Sequence, residues 1–148
     1  MIRELELSEL GKLENGATEF YALAELPGKF DFSILKKNWE YFYGQGIGAI
    51  FALVDEKTDE IYGALGCVKV PDLITNILIA TEMFWFVMDG RRGEGMKLLY
   101  EFESWAKANG CKSMRMMYLS NVMSEDVKAV YKRRGYREVE TAYEKEIN

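Results

Sequence analysis

The sequence predicts a domain of the α/β class, more closely an α+β fold, with six strands and four helices. Three observations predict it. A length of 148 residues suits a single domain that spans residues 1–148. A composition with 49% apolar residues, 14% aromatic residues and two prolines is typical of a globular chain. Finally, apolar residues follow a helical period in four segments and a strand-like pattern in six others.

The first part of the chain is predicted to form one strand and two helices. Residues 3–7 form a short strand, and Ser8 is a candidate N-cap for the first helix. The Pro-Gly pair at 27–28 closes that helix. A second helix begins near Asp31 and ends at the glycines of segment 44–46.

The middle of the chain is predicted to form strands. Segments 48–55 and 61–70 are rich in β-forming residues, and the polar turn 56–60 between them indicates an antiparallel hairpin. Pro71 ends this hairpin. Segment 76–88 is long, apolar and aromatic, which is typical of a central strand.

The last part is predicted to form two helices and two strands. The first helix covers about 95–108 and stops at the Asn-Gly pair 109–110. Segment 111–119 is the next strand, a helix at 124–135 begins with a serine cap and stops at a glycine, and segment 136–147 alternates as a half-buried strand does. The apolar stripe of the first helix consists of Leu98, Leu99, Phe102, Trp105 and Ala106.

Charge and residue types exclude several classes of function. The net charge of −5 gives no electrostatic support for a nucleic-acid partner. No segment has the form of a signal peptide or reaches roughly eighteen consecutive apolar residues, so we expect a cytoplasmic protein without a membrane partner. The absence of histidine excludes Ser-His and Cys-His catalysis. Cys67 and Cys111 lack metal-ligand spacing, so we expect buried small hydrophobes and no metal site.

A basic, glycine-rich turn follows the predicted central strand and leads directly into a helix. Backbone N–H groups at a helix N-terminus are unpaired and carry the positive end of the helix dipole, so they favour phosphate. Gly93 and Gly95 let a ligand approach the backbone closely, and Arg91, Arg92 and Lys97 can add positive charge at the rim. The turn therefore predicts a site for a phosphate-bearing cofactor.

Glu82 is an acid within the otherwise apolar central strand. A carboxylate in such a place needs a partner, a water-filled cleft or a raised pKa. Without histidine, this makes Glu82 the leading candidate for a general base. The alternative is that Glu82 faces solvent or pairs with an arginine.

The order of the elements resembles that of the GNAT superfamily of acyl-CoA-dependent N-acetyltransferases over nearly the whole chain. The family's cofactor signature is Arg/Gln-x-x-Gly-x-Gly/Ala before its central helix, often followed by Leu-Leu. Counted back from Leu98–Leu99, Gly93 and Gly95 occupy the two glycine positions, and Gly90 stands where Arg or Gln is expected.

A second register of this signature competes with the first. Counted from Arg92, Gly95 takes the first glycine position and Lys97 replaces the second. We prefer the register counted from Leu-Leu because it preserves the spacing from the glycines to the helix. In that register Arg91 or Arg92 compensates for the arginine that is missing at Gly90.

A second motif lies near the end of the chain. Segment 130–136, Val-Tyr-Lys-Arg-Arg-Gly-Tyr, resembles the family's Leu/Phe-Tyr-x-x-x-Gly-Phe/Tyr, in which the tyrosine stands near the cofactor sulfur. The resemblance therefore implies a catalytic role for Tyr131, and a core position is the alternative. Segments 82–87, 105–110 and 136–145 together are similar to small GNAT proteins encoded by tailed phages, which would place the protein in the host cytoplasm.

The resemblance implies a mixed, mostly antiparallel sheet of six to seven strands with about four helices, in which a splayed pair of strands forms the acyl-CoA cleft. It also implies direct attack of a primary amine on acetyl-CoA in a ternary complex. Glu82 would accept the proton of the amine, and Tyr131 would donate to the thiolate. The implied acetyl-CoA-binding residues are Phe86, Val87 and Met88 for the pantetheine arm, and Arg91, Arg92, Gly93, Glu94, Gly95, Met96 and Lys97 for the pyrophosphate.

Other interpretations stay open at this point. The chain could be a non-catalytic binding protein on the same scaffold that acts on a host or partner protein, because a fold does not carry its chemistry with it. It could also bind the cofactor only to regulate a partner. For the enzyme, the acidic net charge suits a cationic small-molecule or protein amine. A homodimer is open too, although we expect the aromatic segment 39–43 to lie in the core.

Overall fold

One mixed sheet with helices on both faces makes up the domain. The computed structural model describes residues 1–148, apart from the side chain of Arg92. The strands are β1 (Ile2–Glu4), β2 (Gly48–Val54), β3 (Ile61–Pro71), β4 (Leu78–Val87) and β5 (Ser113–Arg115). The helices are α1 (Glu14–Ala24), α2 (Phe32–Gly44), α3 (Gly95–Ala108) and α4 (Glu125–Arg133), with short 3₁₀ segments at Leu7–Leu13 and Arg92–Glu94.

The strands stand in the sheet in their order along the chain, from β1 to β5. The first three pairs are antiparallel, and β5 lies parallel to β4 at the edge. This confirms the α+β fold with a mostly antiparallel mixed sheet. Because the sheet is covered on both faces, β2 and β3 are buried almost throughout, which agrees with their continuous apolar sequences.

Two apolar cores fill the space between the sheet and the helices. One lies under α1 and α2 and includes Phe20, Trp39 and Phe84. The other lies under α3, whose predicted apolar stripe is buried at Leu98, Leu99, Phe102 and Ala106 and half-buried at Trp105. None of the described helices combines the length and the apolar character that crossing a bilayer requires.

The start of the first helical region differs from the prediction. Ser8 lies inside the 3₁₀ segment and does not cap a helix. The chain turns two residues earlier, where the Glu9 carboxylate accepts the Glu6 N–H at 3.0 Å and binds the Arg3 guanidinium at 2.6 Å. A charged pair therefore replaces the hydroxyl cap. The second helix begins after Asp31 as predicted, and the Asp31 carboxylate caps it by accepting the Ser33 N–H at 2.9 Å.

The end of the chain also differs. Residues 136–148 form no strand, and β5 covers Ser113–Arg115 instead of 111–119, so the sheet has five strands and not six to seven. The alternating residues Val139, Tyr143 and Ile147 stay exposed. The alternation in the sequence is therefore not matched by packing, and these residues add no strand to β5.

Helix α4 lies near this edge with no fully buried residue, and its apolar residues Val127 and Val130 are half-buried. Polar contacts add to this packing. Arg134, just after α4, forms an ion pair with Glu103 of α3, and the Tyr136 hydroxyl donates to the same carboxylate at 3.1 Å. The end of the chain near β5 is therefore held by hydrogen bonds and ion pairs in addition to partly buried apolar side chains.

Gly66 allows the core under α1 and α2 to close. A Cβ atom at this position of β3 would lie 2.5 Å from the Phe84 ring and 2.7 Å from the Trp39 ring. We expect Gly66→Ala to lower the free energy of unfolding by about 1–3 kcal/mol, because two buried rings must move. Gly44→Ala is the control, since a Cβ at Gly44 meets no atom within 4 Å. Equal urea midpoints for the two variants would contradict this packing.

Candidate active site

The two strands at the centre of the site separate after a short contact. β4 and β5 pair only over Ile79–Thr81 and Ser113–Arg115. Beyond this contact β4 continues to Val87 and pairs with β3 only. The chain after β5 leaves the sheet. Main-chain N–H and C=O groups in the resulting gap need partners other than a neighbouring strand. The predicted splayed pair of strands is therefore present.

Glu82 lies where the two strands separate. Its side chain is only 3% exposed, and its Oε2 accepts the Met117 N–H at 2.9 Å. Burial raises the pKa of Glu82 to about 7, and the hydrogen bond from Met117 acts in the opposite direction. Glu82 therefore does not face solvent, and among the described side chains it forms no ion pair with an arginine.

Tyr131 of α4 approaches the gap from the other side. Its hydroxyl donates to the Met117 C=O at 2.7 Å. Burial raises the pKa of Tyr131 well above its usual value, and the negative charges of Glu82 and Tyr136 raise it further. The phenol therefore keeps its proton at neutral pH.

Met117 connects these two side chains through its own main chain. Its N–H binds Glu82 and its C=O accepts from Tyr131, so both polar groups of one residue are satisfied by side chains and not by a strand. An acid whose pKa lies near neutrality and a protonated phenol consequently face one gap. Such a pair can accept one proton and donate another.

The end of β4 directs some of its main-chain groups into the same gap. The Met88 N–H donates to the Tyr62 C=O at 2.8 Å, so the main-chain groups of Met88 point to β3. In an antiparallel strand, alternate residues direct their N–H and C=O groups to the same neighbouring strand. The main-chain groups of Phe86 therefore also point to β3, whereas those of Val87 and Trp85 point to the open side. The Phe86 side chain is buried in the core under α1.

The glycine-rich turn leads from β4 into α3 as the sequence predicted. Gly90 has a φ of 83°, which favours glycine over arginine, and this position is where the preferred register lacks its Arg or Gln. Gly93 is exposed, and a Cβ there would meet nothing within 4 Å. Gly95 is the first residue of α3 and is buried against β4, where a Cβ would lie 3.2 Å from Val87 Cγ2. Met96 follows, half-buried.

The described cations of the turn already have partners. The Arg91 guanidinium lies 3.8 Å from the centre of the Tyr62 ring and 3.6 Å from carboxylate oxygens of both Asp55 and Glu94. The Lys97 ammonium lies 3.0 Å from Glu94. The Arg92 side chain lies outside the described residues. The described side chains of the turn therefore form a balanced network of charges and not a bare positive pocket.

Trp85 has the one unsatisfied polar atom among the described buried side chains. Its Nε1 has no hydrogen-bond partner. This nitrogen would lie 3.8 Å from a Cβ at Gly95, and the ring lies 6.5 Å from the Tyr131 ring. A buried N–H donor without an acceptor costs about 1–3 kcal/mol. A ligand atom that accepts a hydrogen bond between α3 and α4 would remove that cost.

Solved structures of other proteins share this architecture. An acetyltransferase from Trypanosoma brucei superposes with a TM-score of 0.72 at 17% identity, and 99% of each chain is covered. Glucosamine-6-phosphate N-acetyltransferase from Arabidopsis thaliana gives 0.73 at 16% identity over 100% of this chain and 98% of that one. An aminoglycoside acetyltransferase from an uncultured soil metagenomic sample gives 0.74 at 17%, over 100% and 96%. This chain has the GNAT fold.

The GNAT fold extends over the whole chain, whereas the sequence itself has diverged widely. No protein-family model matches the chain, and no curated protein matches it either. The three structures named above are all acetyltransferases, and identities of 16–17% establish the fold alone. The fold predicted from the order of elements is therefore confirmed, and the chemistry has to be argued from the site.

Sequence reasoning missed two residues of the site. Met117 takes part only through its main chain, so no side-chain signal could have identified it. Trp85 lies in the aromatic segment that was predicted to form the central strand, and its indole N–H was the available signal. Cys67 is buried as expected, whereas Cys111 is only half-buried. Among the described residues, no group of three or more acids or cysteines is arranged to hold a metal ion.

The raised pKa of Glu82 predicts a pH-dependent stability. A carboxyl whose pKa is higher in the folded state contributes its full stability below the unfolded pKa of 4.5 and loses it as the pH rises through about 7. We expect the wild type to lose roughly 3 kcal/mol of unfolding free energy over this window relative to Glu82→Gln. The glutamine oxygen can still accept the Met117 N–H.

Urea denaturation at a series of pH values measures this difference. Glu101→Gln, which changes an exposed glutamate of α3, is the control and should follow the wild type. Parallel curves for the wild type and Glu82→Gln would mean that Glu82 is not buried in the folded protein.

Proposed function

We propose that this protein is an acyl-CoA-dependent N-acyltransferase that transfers an acetyl group from acetyl-CoA to a primary amine by direct attack. The observation that carries the proposal is that Glu82 and Tyr131 bind the N–H and the C=O of one residue, Met117, where β4 and β5 separate. The GNAT fold supports it, because the similar solved structures are acetyltransferases.

Acyl transfer to an amine requires removal of one proton and supply of another. An amine attacks only when it is neutral, and the departing thiolate must be protonated or otherwise stabilised. Glu82, with a pKa of about 7, is substantially ionised at neutral pH and can accept the proton of the amine, directly or through water. An ammonium substrate first loses one proton to solvent. The neutral nitrogen then attacks the thioester carbonyl, and Glu82 accepts the proton that this nitrogen releases as the amide forms.

Tyr131 supplies the second proton in this proposal. Its raised pKa keeps the phenol protonated until a stronger base forms beside it. To donate to the thiolate, its hydroxyl must release the Met117 C=O, which it binds at 2.7 Å. The phenolate that remains is re-protonated from Glu82 through solvent, which restores both groups. No step requires a covalent enzyme intermediate, so neither cysteine takes part.

The cofactor residues fit a phosphate-bearing thioester. The turn from Arg91 to Lys97 would hold the pyrophosphate, since Gly93 leaves its backbone open and α3 begins at Gly95. Within the segment Phe86 to Met88, the main-chain groups of Val87 would pair with the pantetheine arm, because those of Phe86 and Met88 are directed to β3. Trp85 adds a donor that the sequence did not indicate, because its Nε1 lacks an acceptor within the protein. When bound, acetyl-CoA supplies the activated acetyl group.

Trp85→Phe tests this assignment without measuring turnover. Loss of the indole N–H should weaken coenzyme A binding about tenfold in calorimetric titration, which is the order of one hydrogen bond. The tryptophan fluorescence of the wild type should also change on binding. Trp105→Phe, on the far part of α3, is the control and should bind as the wild type does. Equal affinity in both variants would remove Trp85 from the site.

Glu82→Gln and Tyr131→Phe test the two proton-transfer roles. With saturating acetyl-CoA and an amine acceptor, we expect kcat to fall roughly 10²–10⁴-fold for the first variant and at least about tenfold for the second. Release of free thiol measures the rate. Glu101→Gln and Tyr143→Phe, at exposed positions, are matched controls. Wild-type rates in both site variants would show that these roles are wrong even though the fold is right.

Coenzyme A binding also distinguishes this proposal from a non-catalytic binding protein on the same scaffold. The balanced charges around Arg91 favour neither class by themselves. Absence of binding at about millimolar acetyl-CoA would favour the binding protein. Binding without turnover of any amine would favour a cofactor that regulates a partner. An origin in a tailed phage stays a prediction of the sequence resemblance.

A further inference from the structure

A cavity of about 370 Å³ lies between the α1–α2 loop, α2 and the part of β4 that directly follows Glu82. Its volume falls within the range of small-molecule sites, roughly 300–1,000 Å³. Aromatic and aliphatic side chains form most of its wall. They include Tyr21, Phe30, Ile34, Leu35, Phe42 and Phe84.

A bulge in β4 lies between Glu82 and this cavity along the chain. Gly66 pairs with Phe84 and Cys67 pairs with Glu82, so Met83 has no partner on β3. Met83 and Phe84 then line the cavity directly after Glu82, which is itself buried and is not part of the wall. On the opposite wall, burial raises the pKa of Tyr21, and the charge of Glu82 raises it further. A molecule in the cavity would consequently lie against the two residues that follow Glu82 in β4.

The charges in the wall do not suit a polycation. The charged residues that line the cavity are Lys29 and Asp31, one of each sign. The Asp31 carboxylate already accepts the N–H and the hydroxyl of Ser33, at 2.9 and 2.6 Å. A ligand with several ammonium groups would need several carboxylates to replace its hydration. A ligand with one amine carries a single charge, and the rest of it can contact the apolar wall.

Two aromatic rings of the wall are already arranged to hold a flat apolar group. The rings of Tyr21 and Phe30 stack with centroids 4.9 Å apart, and Phe84 lies on the β4 side of the cavity. Aromatic walls favour offset or edge contacts with a further ring. The cavity therefore selects for an apolar body and not for a sugar or a polyamine.

We propose that this cavity binds a monoamine with an aromatic or branched apolar group, and that its amine is the acetyl acceptor. The claim that the bound amine is the acetyl acceptor rests on the proposed acetyl transfer. The claim that the cavity binds such an amine does not, because binding can be measured without acetyl transfer. The aminoglycosides named for some of the similar solved structures belong to the other class of acceptor, which is polycationic.

Ile34→Asp is the variant that tests the cavity. Ile34 lines it and is 59% exposed in the first turn of α2, where an added carboxylate does not disturb the core and suits the helix N-terminus. Ile74→Asp makes the same change at an exposed position of the β3–β4 turn and is the matched control. Both variants should bind coenzyme A as the wild type does.

The probes are 2-phenylethylamine, isoamylamine and spermidine, titrated by NMR without an acyl donor and then assayed with acetyl-CoA. We expect the two apolar amines to bind and to be acetylated in preference to spermidine. We also expect Ile34→Asp, but not Ile74→Asp, to weaken 2-phenylethylamine binding at least tenfold. Preference for spermidine, or equal binding by the two variants, would overturn the inference.

The two proposals can fail separately. Binding of 2-phenylethylamine that Ile34→Asp weakens, without acetylation of any amine, would sustain the cavity assignment and overturn the acetyl transfer. Acetylation of spermidine alone would sustain the acetyl transfer and overturn the cavity as its acceptor site.

Discussion

The main-chain groups of Met117 join Glu82 of β4 to Tyr131 of α4 across the gap between β4 and β5. These two side chains supply the partners that a neighbouring strand does not give to the N–H and the C=O of Met117. The same contacts fix the positions of the acid and the phenol. The separation of the strands, the position of α4 and the chemistry of the gap therefore depend on one residue's backbone.

Burial of Glu82 opposes stability and supports reactivity. An ionised carboxylate that is 3% exposed is unfavourable, and one hydrogen bond from Met117 offsets only part of that cost. The resulting pKa of about 7 makes the group a useful proton acceptor near neutral pH. The Glu9 carboxylate near the N-terminus shows the opposite case, because the Arg3 guanidinium holds its pKa down at about 2. The difference comes first from the burial of Glu82, and Glu82 forms no ion pair among the described side chains.

The sequence predicted the parts of the fold that strong local patterns determine. Helix α3 begins at Gly95 and ends at Ala108 as expected, because its apolar stripe and its flanking glycines agree. The predicted strand at 136–147 was wrong, because an alternating pattern alone does not provide apolar surface to bury. For the site, Glu82 was recognisable as an acid in an apolar strand. Met117 and the orphan N–H of Trp85 depend on tertiary contacts that no local pattern encodes.

Titration of Glu82 and of the Met117 amide by NMR is the most direct test of this account. We expect the Glu82 carboxyl carbon to titrate with a midpoint near 7, and the Met117 amide proton to shift with the same midpoint, because the two are hydrogen-bonded. A midpoint at the ordinary value of about 4.5 for Glu82, or a Met117 amide that does not respond, would contradict the link on which the site depends.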